Sequence, residues 1–151
     1  MRSKVLTLIA AMVAVFALGC GEGDSTPSDS RSLTKKAFVA QADSICAKGV
    51  KEKDQVLKAG FKKILVGGQE PAKEDVEGVV LEIVPVLKET TSQLHELSPP
   101  AKDEQQVNAM LEEYDKSLKE AEDDPGSALT ATFLKAPNEA ARAYGLTSCS
   151  L

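Results

Sequence analysis

Residues 76–97 read VEGVVLEIVPVLKETTSQLHEL, and within them Val76, Val80, Ile83, Leu87, Thr90, Leu94 and Leu97 follow one another in steps of four and three. Those steps place every one of them on a single side of a helix, the seam along which helices bury apolar surface against each other. Val79, Val84 and Val86 widen the seam; their β-branched side chains suit a strand, but the period and the length select a helix. Pro71 suits a first helical position, and Pro85, inside the run, deprives the Leu81 carbonyl of its donor and predicts a kink. A helix with so regular an apolar side needs partners of matching length.

The flanking sequence supplies them. Thr34 is a natural N-cap for a helix reaching about Val66, with Phe38, Ala42, Ile45, Gly49, Val56, Gly60 and Ile64 as its stripe and Cys46, Val50, Leu57, Phe61 and Leu65 beside it. Gly49 and Gly60 weaken that helix, a cost that close approach of a neighbour can offset. Gly67-Gly68 then stops it. After the seam, Ser98-Pro99-Pro100 reads as the cap and start of a third helix carrying Val107, Met110, Leu111, Tyr114, Leu118 and Ala121. Asp124-Pro125-Gly126 caps and opens a fourth, with Leu129, Phe133, Ala136, Ala140 and Tyr144 as its stripe, a bend at Pro137 and a stop at Gly145.

Four helices with short connections predict an all-α, antiparallel up-down-up-down four-helix bundle over residues 34–151. Cysteine placement agrees. With a rise of about 1.5 Å per residue in every helix, descending from Pro125 to Tyr144 ends level with the region of Cys46, so Cys149 should lie beside it and form a disulfide. Closing so long a loop stabilises by about 4 to 5 kcal/mol in the chain-entropy account.

Upstream, Met1-Arg2-Ser3-Lys4 is a short basic start and Val5 to Leu18 an uncharged, largely apolar run of 14 residues, the layout of a secretory signal and too short for a membrane-spanning helix of about 20 residues. The run ends in Ala17-Leu18-Gly19-Cys20, which resembles a bacterial lipobox, with Ala17 standing where leucine is usual. The resemblance implies lipid on the Cys20 sulfur, cleavage by a lipoprotein signal peptidase between Gly19 and Cys20, and a mature chain anchored by fatty chains such as palmitate. Residues 1–19 would then be removed, and residues 20–33 would form a lipidated cysteine and tether. Gly21 to Ser32 contains no apolar residue and cannot offset its own ordering entropy by burial; such a tether holds the domain on the order of 20 Å from the lipid.

Composition narrows the function. Losing Arg2 and Lys4 but no acid takes the net charge from -5 to -7, which speaks against nucleic acid as a partner. The chain has no Cys-x-x-Cys, no His-Glu-x-x-His and no Gly-x-Ser-x-Gly, and its one histidine, His95, reads as an exposed helix residue. No catalytic residue, metal ligand or cofactor motif is assigned. Glu120, Glu122, Asp123 and Asp124 should share one end of the bundle with Glu70, Glu74 and Asp75, where capping and helix dipoles explain acids without a cation. Lys35-Lys36, Lys51 to Asp54 and Lys62-Lys63 read as solvated faces, with Lys35 and Lys36 near enough to the tether to meet anionic headgroups.

Three stretches, Phe38-x-x-x-Ala42-Asp43-x-Ile45-Cys46-Ala47, Leu97-x-Pro99-Pro100-Ala101 and Tyr144-Gly145-Leu146-x-x-Cys149, resemble those of small exported proteins and lipoproteins of actinobacteria. That resemblance implies a helical domain with a disulfide on the outer face of the plasma membrane, and no activity. The expectation is a non-enzymatic module that binds another envelope protein; the alternatives are a carrier of a small apolar ligand in the bundle core and, last, an enzyme or metal-binding protein.

Overall fold

The computed structural model describes residues 32–65, 70–149 and 151. Gly19, Cys20, the signal and most of the tether lie outside the described residues, as does the Gly67-Gly68 stop. The described residues are helical, with no strand among them: α1 spans Lys35–Ile64, α2 Lys73–His95, α3 Glu104–Asp123 and α4 Lys135–Tyr144, and a one-turn 3-10 segment covers Pro125–Leu129.

Side-chain pairs fix the directions. Gly49 faces Thr90 and Gly60 faces Val79, so eleven residues forward on α1 is eleven back on α2. Lys88 pairs with Glu122 and His95 with Asp115, so seven residues forward on α2 is seven back on α3. Tyr144, ending α4, reaches Asp103 at the start of α3. The chain therefore runs up, down, up and down. Both glycines mark close approach: a Cβ on Gly60 would lie 2.8 Å from each Cγ of Val79, and one on Gly49 would collide with the Thr90 side chain.

The seam of α2 is buried at Leu87, Thr90 and Leu94. Thr90 and Thr91 sit in the apolar interior because their hydroxyls donate to the Val86 and Lys88 carbonyls of their own helix, at 2.9 and 3.0 Å. Every stripe residue of α3 is buried. Val107, Met110, Leu111, Tyr114 and Leu118 join Phe38, Ala42, Cys46, Tyr144 and Leu146 in one core. The Thr34 hydroxyl accepts from the Ala37 N–H at 3.2 Å and caps α1 as expected. Leu33, counted above with the tether, already belongs to the bundle: its N–H donates to the Ser98 carbonyl at 3.0 Å and its side chain packs on the core.

Helix starts depart from expectation. α2 begins at Lys73, two residues after Pro71, and runs through Pro85, which faces solvent, without interruption. α3 begins at Glu104 rather than at Pro99, because a turn in which the Asp103 N–H donates to the Pro100 carbonyl at 2.8 Å comes first.

The fourth element differs most. Instead of a long helix from Pro125, the chain makes the 3-10 turn, a further turn, and then Leu134 at φ 54°, in the left-handed region. Such a backbone costs a residue with a Cβ about 1 to 2 kcal/mol; burying the Leu134 side chain, 3% exposed, offsets it. The break resets the helical phase, so Ala136 and Ala140 face solvent while Pro137, Ala141 and Tyr144 are buried. Pro137 causes no break; it occupies the first turn of α4, where its missing N–H has no partner to lose. Gly145, at φ 111°, ends α4 as predicted.

Candidate functional site

Cys46 and Cys149 form a disulfide, with Cα atoms 4.9 Å apart and both residues fully buried. Around it the last residues are fastened to three helices. Asp43 of α1 accepts from the Thr147 hydroxyl at 3.0 Å and the Ser148 N–H at 2.8 Å. The Tyr114 hydroxyl of α3 lies 2.8 Å from the Cys149 carbonyl and 2.7 Å from Asn138 Oδ1. Asn138 of α4 in turn accepts from the Leu151 N–H at 3.2 Å. Burial pushes the Tyr114 phenol well above its usual pKa, against a smaller opposing pull from the Arg142 charge. A phenol so protonated and so engaged holds the tail and is in no position to act as a base.

Several of the charged groups singled out in the sequence pair locally at the surface. His95 Nε2 lies 2.8 Å from Asp115 Oδ2, with the imidazole 41% exposed. Lys88 bonds Glu122 and Lys119 bonds Asp123. At the acidic end, Asp124 accepts from the Gly126 N–H, and Lys73 sits among Glu77, Asp124 and Glu74. The hydrogen bond and charge of Glu77, followed by the other two carboxylates, raise the Lys73 pKa, so an ammonium already supplies positive charge where a cation could have been imagined. Among the described residues no three His, Cys, Asp or Glu side chains converge as a metal site requires.

Several hollows mark the surface: those beside His95 and Asp115 and beside Glu104 and Asn108 are larger and lined mainly by polar residues, and one is apolar. Between the second half of α1 and the first half of α2 lies a groove of about 260 Å³. Leu57 and Phe61 form one wall and Val76, Val80 and Ile83 the other. Val79, packed on Gly60, and Val84 lie beneath. Ala128 and Leu129 of the 3-10 turn, Phe133, Leu134, Leu87 and Leu151 complete it. Lys53 is the one polar residue in the lining.

This groove exists because of the broken fourth element. A full-length helix from Pro125 would have laid a continuous apolar stripe over α1 and α2 at this end. The 3-10 turn has no buried residue, and Leu129 remains 48% exposed. The chemistry available here is the binding of apolar groups beside the single amine of Lys53; no Asp, Glu, Ser, Thr, Cys or His is among the lining residues.

Sequence reasoning missed the groove. Its trace was an excess of apolar side chains: Leu57 and Phe61 beside the stripe of α1, and Val79, Val84 and Val86 beside the seam of α2, more than one seam can bury. No family model, curated protein or solved structure matches the chain.

Proposed function

We propose that the protein is a lipid-anchored, extracytoplasmic binding module held at the cell membrane through Cys20, with the groove between α1 and α2 as its binding site for an apolar group. The observation that carries the binding half of this reading is the groove: thirteen apolar residues and one lysine around about 260 Å³. Concave, largely apolar sites with few polar groups are where small molecules bind. The anchor half rests on Ala17-Leu18-Gly19-Cys20 after a basic, then apolar, leader. A disulfide across 103 residues supports it, since such bonds persist in oxidising compartments. Among the described residues no helix is long and apolar enough to cross a membrane. Catalysis is not part of the reading.

A second reading, a face for an envelope protein, is favoured by the exposure of Leu65, Leu81 and Leu129 at 52%, 46% and 48%. Titration with the neutral dye N-phenyl-1-naphthylamine separates the two. The groove reading expects a saturable fluorescence rise that Val80→Glu abolishes while the helical circular dichroism spectrum is kept; no rise in the unaltered protein would refute it. For the anchor, cells fed a labelled fatty acid should label the protein and not its Cys20→Ser variant. Label that persists in the variant removes the anchor.

A further inference from the structure

The groove has a direction. Gly49 lies level with Thr90 and Gly60 with Val79, so Lys53 stands beside Val86 and Leu87, at the groove's mid-bundle end. From there the lining is apolar as far as Phe61 and Val76. Val76 and Leu87 are eleven residues apart on one helix, which makes the groove about 16 Å long. Lys53 is half-buried and, among the described residues, forms none of the ion pairs that engage Lys48, Lys63, Lys73, Lys88 and Lys119. An ammonium without a carboxylate partner, placed at one end of an apolar trough, complements a ligand with a negative head and an apolar tail.

We infer that the groove binds a single-chain fatty carboxylate, its tail lying along Phe61, Val80 and Ile83 and its head against the Lys53 ammonium. The inference rests on the groove reading above and names its ligand class. The volume is small beside the roughly 300 to 1,000 Å³ of most ligand pockets, so one acyl tail fits and a two-tailed lipid does not. A half-exposed ion pair contributes about 1 kcal/mol, equivalent to roughly fivefold in affinity. The apolar tail therefore supplies most of the binding and Lys53 selects the head.

The test is displacement of bound N-phenyl-1-naphthylamine from the full-length chain, carried with Cys20→Ser so that no attached lipid competes, by decanoate, its methyl ester and decylamine. Decanoate should displace the dye at lower concentration than the ester or the amine. Lys53→Gln should weaken decanoate about fivefold and leave the ester unchanged, and Lys53→Glu should favour decylamine. Equal affinity for acid and ester, or an equal effect of Lys53→Gln on both, overturns the fatty-acid assignment while the groove reading stands. Displacement by an apolar helical peptide but by none of the three also overturns it, in favour of a protein segment. Failure of the dye itself to bind removes the groove reading instead.

Discussion

At the disulfide end of the bundle Phe38, Leu94, Val107, Tyr114 and Tyr144 are each 3% exposed or less, while at the other end Leu129 is 48% exposed and Leu57, Phe61, Val76 and Val80 are only half-buried. Both ends draw on the same helices and the same steps of three and four. What separates them is the cover. At the closed end α4, the tail after Gly145, the disulfide and the hydrogen bonds of Asp43, Tyr114 and Asn138 add a further layer over α1, α2 and α3. At the open end a single 3-10 turn takes the place of a helix. Apolar periodicity alone therefore does not decide whether a face becomes core or site; the element laid across it does.

The largest effect should come from opening the clasp. Cys149→Ser releases a loop of 103 residues, for which the chain-entropy account gives a loss of about 4 to 5 kcal/mol. By thermal denaturation the variant should melt more than about 10 °C lower. Below its new melting point it should still bind the neutral dye, since of the tail only Leu151 lines the groove. Loss of dye binding in a variant that is still folded would mean that the two ends are not independent.

The contrast in packing can be measured directly. Leu118, fully buried in α3, should cost about 3 kcal/mol on Leu118→Ala, the usual range for a filled core site. Phe61→Ala at the groove should cost about 1 kcal/mol or less, because a half-exposed ring gives up less surface and leaves no enclosed void. Urea unfolding of the two variants compares them. Equal losses would show that the groove is packed as tightly as the core, and the difference between the ends would disappear.

These differences explain what could be read from the residues alone. The seam of α2, the stripes of α1 and α3, the Thr34 cap, the Gly145 stop and the pairing of Cys46 with Cys149 were legible because each depends on local spacing or on a chemistry with few alternatives. The two close approaches at Gly49 and Gly60 were legible for the same reason: glycine inside a stripe is costly unless a neighbour uses the space. The fourth element was not. Its fate turns on Leu134 entering the left-handed region, a conformation that leucine rarely adopts and that tertiary burial enforces here. Without that break, the local pattern puts Ala136 and Ala140 on the buried side, extends a helix through the 3-10 turn and covers the groove. The tail-holding roles of Tyr114, Asn138 and Asp43 were not legible, because they depend on a tail whose path no local pattern reveals.

A smaller effect distinguishes the ends by pH. Tyr144 donates to Asp103 Oδ2 at 2.9 Å; burial first, then that hydrogen bond and the carboxylate's charge, push its phenol up to about 12. The fold thus favours the protonated phenol. The stability this contributes is intact below about pH 10, the pKa of an unfolded tyrosine, and is lost as the pH rises from there through about 12. Tyr144→Phe has no such proton, and it also lacks the bond to a charged acceptor. The unaltered protein should exceed it by about 1 kcal/mol at neutral pH, with the margin shrinking above pH 10. Tyr114 titrates in both proteins and cancels in the difference. Urea unfolding at several alkaline pH values reads this margin, and a flat difference would mean that the phenol does not hold the end of α4 to the start of α3. Phe61→Ala removes no ionisable group, so its comparison with the unaltered protein over the same range should stay level and assign the alkaline sensitivity to the closed end.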